Sequence, residues 1–128
     1  MLIKTYFSEI KAITDKYSAT DFVLSTILNF DIRPGDQGYL YGSVTYIDNS
    51  ILYFKEFLDA SNKGIEKVMY SYHYQDVNKQ LIFRYDNALH KPPLATIGHK
   101  HLPDKVIEAC EPQFQDVMIE ICILQGWV

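Results

Sequence analysis

The sequence predicts an α+β fold in which a five-stranded, mainly antiparallel twisted sheet carries an N-terminal and a C-terminal helix on one face. Helical spacing of apolar residues is confined to the two ends of the chain, and the segments between are rich in β-branched and aromatic residues. Short turn signals separate these segments, and short turns join antiparallel neighbours because parallel strands need a long crossover. A chain of 128 residues suits one core, so we expect a single domain over residues 1–128.

Two amphipathic helices are predicted, one at each end. In the first, apolar residues recur at helical spacing from Ile3 to Tyr17, with lysine and glutamate residues between them. The second follows Pro112, where apolar residues from Phe114 to Cys122 show the same spacing. Each helix therefore has an apolar side that can pack on a sheet.

Five strands are predicted between the helices. They cover roughly residues 22–32, 39–46, 50–57, 67–75 and 80–86. Glycine, proline, asparagine and aspartate mark the turns between them, as in Pro34-Gly35-Asp36 after the first strand. After residue 86 we expect a long irregular loop, stiffened by Pro92, Pro93 and Pro103, that leads to the second helix.

The net charge and the length of the apolar runs limit the classes of function that this sequence can have. The formal net charge is −4, so no global basic field attracts nucleic acid, and any RNA contact must depend on local positive charge or on delivery by a partner such as the ribosome. No signal peptide is recognisable, and the longest apolar runs are far shorter than the ~20 residues needed to span a bilayer. We therefore expect a soluble, cytoplasmic protein that makes no membrane contact.

Clustered histidines are the main chemical feature. Three of the four lie within a dozen residues in the predicted loop and the fourth lies one hairpin earlier: His90, His99, His101 and His73. Imidazole titrates near neutral pH, which suits it to proton transfer and to metal binding. Arg84 and Lys100 lie beside these histidines in sequence and could hold an anion.

The hairpin of the fourth and fifth strands predicts which side chains share a face. With a four-residue loop, Ser71 would face Arg84 and His73 would face Ile82. Because side chains alternate, one face then carries the polar residues and the other the aromatic ones. The polar set is Ser71, His73, Arg84 and Asp86. A solvated Arg84–Asp86 ion pair beside a structural histidine is an alternative interpretation of the same pattern.

The same histidines could form a metal site or a phosphate-chemistry site, and the residue spacing favours the second. Zinc takes four tetrahedral ligands, neither C-x-x-C nor H-E-x-x-H is present, and we expect His99 and His101 to point to opposite sides of their segment. We therefore predict no metal and no cofactor. Phosphoryl transfer asks only for a base, an acid and one or two cations.

A longer stretch of the sequence resembles a known family. The segments that carry the resemblance are Tyr70-Ser71-Tyr72-His73-Tyr74-Gln75, residues 81–88, His90 and His99-Lys100-His101-Leu102-Pro103. They resemble the TumE-like toxins of prokaryotic toxin–antitoxin pairs. The resemblance implies the toxin of a type II pair that acts as an endoribonuclease. It also implies a cognate antitoxin, usually a helix-turn-helix DNA-binding protein.

The leading hypothesis is a metal-independent endoribonuclease that acts on RNA, either free or on the ribosome. His73 or His99 would be the base, His101 or His90 the acid, and Arg84 with Lys100 would stabilise the phosphate. The remaining candidates, as RNA contacts, are Tyr72, Tyr85, Asp86, Asn87 and His90. The alternative is a non-catalytic module in which the cluster organises a docking loop. The sequence leaves open whether the chain forms a homo-oligomer or assembles only with its antitoxin.

Overall fold

The structure, a computed structural model, describes residues 2–88 and 98–127. Within these ranges the chain has one helix near each end and seven strands between them in sequence. In chain order the elements are α1 (Leu2–Ser18), β1 (Val23–Arg33), β2 (Gln37–Tyr46), β3 (Ile51–Ser61), β4 (Gly64–Gln75), β5 (Leu81–Asp86), β6 (His99–Leu102), β7 (Lys105–Glu108) and α2 (Phe114–Gln125). Neither helix is long and apolar enough to cross a membrane.

The described strands form one sheet in which every strand pairs antiparallel with its neighbours in sequence, in the order β1 to β7. Short turns make this arrangement possible. Between β1 and β2, Gly35 and Asp36 both take positive φ angles, of 79° and 56°, which glycine and aspartate tolerate better than most residues. The chain therefore reverses locally at each of these turns, and neighbours in sequence become neighbours in space.

Both helices pack on the same face of the sheet, called here the helix-covered face. Strand side chains such as Leu40, Leu52 and Tyr74 are fully buried there. Helix α1 contributes Ile3, Phe7 and Ile10 to this core, and α2 contributes Phe114, Val117, Met118 and Ile121. Removal of this apolar area from water is the main force that holds the layers together. The other side of the sheet has no helix over it in the described structure and is called the open face.

The α+β class, the antiparallel sheet and the two helices are confirmed, but the prediction of five strands is wrong. Strands β6 and β7 were expected to be irregular loop. Each has only four residues, and the sequence His99-Lys100-His101-Leu102 has no apolar alternation that would indicate a strand. Pro103 and Asp104 form the hairpin turn between β6 and β7, rather than part of an irregular loop.

The register of the β4–β5 hairpin differs from the prediction by two residues. His73 pairs with Arg84 rather than with Ile82, and Ser71 pairs with Asp86. The pairing shifts between Tyr74 and Gln75, and the Asp76 carboxylate accepts hydrogen bonds at 2.9 Å from two backbone amides of the turn. Because the shift before this irregularity is an even number of residues, the polar set and the aromatic set keep their predicted faces.

Candidate functional site

Cross-strand pairing on the open face places three of the predicted site residues side by side. His73 of β4 lies opposite Arg84 of β5, and Arg84 lies opposite His101 of β6. Directly paired residues share a face, and adjacent strands are about 4.8 Å apart. We call His73, Arg84 and His101 the His–Arg–His row. Two residues along the strands, Ser71, Asp86 and His99 form a parallel row on the same face.

Hydrogen bonds connect the members of the row through Asp86. Arg84 Nη1 donates to His73 Nδ1 at 3.3 Å, and Arg84 Nε donates to Asp86 Oδ2 at 2.8 Å. On the far side, His101 Nε2 lies 3.4 Å from Asp86 Oδ1. Asp86 is thus held between a guanidinium and an imidazole, while Arg84 keeps further N–H donors for a ligand.

The partners of His73 define its tautomer. Arginine only donates, so His73 Nδ1 accepts, while His73 Nε2 lies 3.2 Å from the amide oxygen of Gln75 and donates to it. Burial lowers the pKa of His73, the positive charge of Arg84 lowers it further, and the hydrogen bond to Gln75 opposes this only in part. The imidazole is therefore held neutral beside a cation.

Asp86 is ionised in this environment. Burial acts to raise its pKa, but the hydrogen bond from Arg84 and the charges of His101 and Arg84 together outweigh burial and lower it. The carboxylate side chain is 8% exposed, against 35% for Arg84. A nearly buried carboxylate therefore orients a cation and a histidine that both remain accessible.

A cleft of about 480 Å³ opens beside the row, toward β2. Its lining includes His73 and Arg84 and extends over Tyr41, Tyr53 and Lys55. The last three residues were not predicted as site residues. The sequence does carry a signal for them, because Tyr39, Tyr41, Tyr53 and Lys55 lie at alternating positions of two predicted strands and so continue the open face of β4 across β3 and β2.

Several predicted site residues lie elsewhere. Lys100 and Tyr85 are on the helix-covered face, where both bind Glu120 of α2, at 2.8 and 2.6 Å. Tyr72 is fully buried on that face, and its hydroxyl donates to Glu56. These three residues are therefore separated from the His–Arg–His row by the thickness of the sheet.

The other candidates differ in how far the structure describes them. Asn87 is engaged with β4, since its amide accepts from the Tyr70 backbone N–H at 3.0 Å and donates to the Val68 carbonyl at 3.1 Å. His90 lies outside the described residues. His99 and His101 do not point to opposite sides as expected, because residues two apart on a strand share a face. Over residues 2–88 and 98–127, no group of three or more histidine, cysteine or acidic side chains is placed to hold a metal ion.

Fold and site together define a small antiparallel α+β protein with a histidine–arginine cluster on an open sheet face. The family model described as toxin TumE matches residues 10–124, nearly the whole chain. The chain belongs to the TumE toxin family, which confirms the resemblance seen in the sequence. It is accordingly a toxin of a toxin–antitoxin system, with a cognate antitoxin as its partner. No curated protein and no solved structure matches the chain.

Proposed function

We propose that this toxin is a metal-independent endoribonuclease of a type II toxin–antitoxin pair. The observation that carries the proposal is the His–Arg–His row on the open face, in which two imidazoles flank one guanidinium. A base, a cation and an acid in one line are the groups that cleavage of an RNA phosphodiester by its own 2′-OH requires.

His73 is the general base. Its neutral imidazole takes the proton of a ribose 2′-OH at Nδ1, the nitrogen that faces Arg84. The 2′ oxygen then attacks the adjacent phosphorus. When a phosphate oxygen replaces His73 as the acceptor of the Arg84 Nη1 hydrogen bond, Nδ1 becomes available next to the bound phosphate. The contact between His73 and Arg84 thus places base and phosphate site together.

His101 is the general acid. Asp86 holds the Nε2–H of His101, so Nδ1 of His101 is the nitrogen that exchanges a proton with the substrate. The P–O5′ bond breaks as the 5′ oxygen takes that proton, which leaves a 2′,3′-cyclic phosphate and a 5′-hydroxyl end. The contact with the Asp86 carboxylate orients the His101 ring for this transfer.

Arg84 binds the phosphate and stabilises the charge that builds on its oxygens. Its Nε–H is committed to Asp86, which orients the guanidinium, and its remaining N–H groups can form a paired contact with phosphate. Lys100 has no part in this proposal because it pairs with Glu120 on the other face. His99, in the neighbouring row, borders Asp86 and helps to shape the site.

The proposed antitoxin and substrate are inferred from the toxin's family and from the chemistry of the His–Arg–His row. The antitoxin is proposed to be a helix-turn-helix DNA-binding protein, as the resemblance implies, and the substrate is cytoplasmic RNA, free or on translating ribosomes. The acidic net charge supports local recognition at the site rather than general attraction to nucleic acid.

The test is cleavage by the purified toxin. Wild type, His73→Ala, Arg84→Ala and His101→Ala are incubated with RNA and with translating ribosomes, with and without EDTA, and new RNA ends are mapped. Each histidine variant is expected to lose about 10²–10⁴-fold in rate. The control is Lys105→Ala, an exposed cation at the far edge of the sheet that should cleave normally.

Three outcomes would contradict the proposal. Full activity in both histidine variants would remove the acid–base assignment. Cleavage abolished by EDTA would indicate a metal site instead. No new ends under any condition would favour the alternative of a non-catalytic docking module.

A further inference from the structure

We propose that the part of the open face formed by Tyr41, Tyr53 and Lys55 is a stacking platform for unpaired RNA bases. The proposal depends on the proposed function for the identity of the ligand as RNA, and it specifies the class of RNA as single-stranded. None of these residues belongs to the His–Arg–His row. They act by holding the nucleotide next to the scissile phosphate.

The first observation is that two tyrosine rings on the open face are exposed. Tyr53 is 46% exposed and Tyr41 is 44% exposed, although tyrosine rings are usually buried to a large extent in a sheet. In the described part of the chain, the side chains of both tyrosines make no hydrogen bond, and Tyr53 stacks on no other ring. A large ring kept accessible beside a catalytic cluster offers a surface for another flat ring.

The second observation is the position of the platform residues next to the His–Arg–His row. Tyr53 lies directly opposite His73 on the neighbouring strand, so it extends the His–Arg–His row by one strand. Lys55 lies opposite Ser71 on one side and opposite Tyr41 on the other. The distance from Arg84 to Tyr53 is two strand spacings, roughly 10 Å. That is about the span from a phosphate to the far edge of its own nucleotide's base.

The aromatic surface includes Tyr39, which also lines the cleft, and continues past it to Arg33 and Phe57. Tyr41 stacks on Tyr39 with 5.1 Å between ring centroids, and the Arg33 guanidinium lies 5.5 Å from the Tyr39 ring centroid. Arg33 also lies 5.0 Å from the centroid of Phe57 on β3. Alternating rings and cations along one face suit a chain in which bases alternate with phosphates.

Sheet faces that carry aromatic side chains are a known physical solution for binding unpaired bases, because any base has a flat face to stack. A duplex has its bases stacked inside and presents only backbone to such a surface. A protein partner can offer carboxylates to Lys55 and Arg84, but an unpaired RNA strand offers both a phosphate for each cation and a flat base for each exposed ring. The geometry therefore favours single-stranded RNA over either alternative.

The experiment separates binding from cleavage. The probe is a fluorescent single-stranded RNA octamer that is fully 2′-O-methylated, so that no 2′-OH can attack, and binding is measured by anisotropy. Tyr53→Ala and Tyr41→Ala are each expected to weaken binding by about 5- to 150-fold, the loss of one stacked base. Tyr53→Phe should bind within about twofold of wild type, because stacking needs the ring and not the hydroxyl.

The matched control is Ile123→Ala, which removes a 66% exposed apolar side chain from α2 on the other side of the sheet. It should bind the octamer as wild type does. The same octamer annealed to its complement should bind much more weakly than the single strand. The variants are also assayed for cleavage, where Tyr53→Ala should raise KM more than it lowers kcat.

Failure of the platform and failure of the chemistry have different signatures. Wild-type binding by the tyrosine variants, together with loss of cleavage in His73→Ala, would overturn the platform and leave the nuclease intact. Loss of binding in the tyrosine variants without cleavage by any protein would support the platform and overturn the chemistry. Equal affinity for single strand and duplex would overturn the platform.

Discussion

At the scale of single residues, the site depends on the different neighbours of its two histidines. His73 is held neutral by burial and by the charge of Arg84. His101 instead faces the Asp86 carboxylate, with His101 Nε2 3.3 Å from Asp86 Oδ2. The row therefore places one histidine against a cation and the other against a carboxylate, and the proposed roles of base and acid differ accordingly.

The pH dependence of cleavage should report the lowered pKa of His73. A base works only when it is unprotonated, so the acid limb of kcat/KM should fall below pH 6.5, the ordinary value for histidine. Gln75→Leu removes the hydrogen bond that raises this pKa and should move the limb to still lower pH. The measurement is a pH–rate profile between pH 4.5 and 8, a range of roughly two units on the acid side of that value.

The same shift has a consequence for stability. Because the folded pKa of His73 is lowered, the unfolded chain binds more protons, and stability is lost as pH falls below about 6.5.

An acid limb above pH 6.5 that does not move in Gln75→Leu would contradict the assignment of His73 as base. Thermal unfolding of both proteins across the same pH range shows whether a shift of the limb reflects chemistry or loss of the fold.

At the scale of elements, β6 completes the site and is held in place from both sides. At its start, a Cβ on Gly98 would lie 2.0 Å from the Tyr70 hydroxyl, so only glycine fits this approach. Within the strand, Lys100 pairs with Glu120 of α2 beneath the sheet, while His101 faces Asp86 above it. Helix α2 thus positions a strand whose other face carries the proposed acid.

Replacement of Lys100 tests whether it is structural or chemical. Lys100→Met keeps the length of the side chain and removes its ion pair with Glu120, both partners of which are less than one-third exposed. We expect the free energy of unfolding to fall by about 1 kcal/mol while kcat stays within about threefold of wild type. Urea denaturation and the RNA cleavage assay measure the two quantities. A loss of kcat as large as that of His101→Ala would return Lys100 to the catalytic set.

At the scale of the whole molecule, a buried polar network joins α1, the middle of the sheet and the approach to α2. Glu56 of β3 is fully buried and accepts hydrogen bonds from the hydroxyls of Tyr6 and Tyr72. Lys67 Nζ lies 3.6 Å from Glu56 and donates to the Pro112 carbonyl at 2.7 Å. Burial lowers the pKa of Lys67, and the charge of Glu56 opposes that effect.

Loss of one charge from this network should be costly. Lys67→Met leaves the Glu56 carboxylate buried without its cation, so we expect about 3 kcal/mol less free energy of unfolding. Adding Glu56→Gln removes the unpaired charge and should recover part of the loss, and a double-mutant cycle by urea denaturation measures the coupling. Lys63→Met, at an exposed lysine in the β3–β4 turn, should change stability by no more than about 0.5 kcal/mol. An additive cycle would contradict a direct Lys67–Glu56 interaction.

The sequence by itself determined the two helices, the first five strands and the faces of His73 and Arg84. Those features depend on periodicity and local turn chemistry, which adjacent residues encode. Helical spacing predicted α1, and alternation predicted the polar face of β4 even though its register was two residues off.

Only the tertiary structure decided which candidates meet. It placed His101 beside Arg84 and Lys100 on the helix-covered face, because β6 pairs with β5 through backbone hydrogen bonds that side-chain patterns do not encode. Tyr72 and Tyr85 lie on the helix-covered face as the alternation in the hairpin predicts, so they cannot join the row. The tertiary structure also brought Tyr41 of β2 and Tyr53 of β3 to the cleft that His73 and Arg84 line. Alternation within each strand indicates which of these side chains share a face, but the register between strands, which decides the pairs that meet, depends on packing of the whole chain.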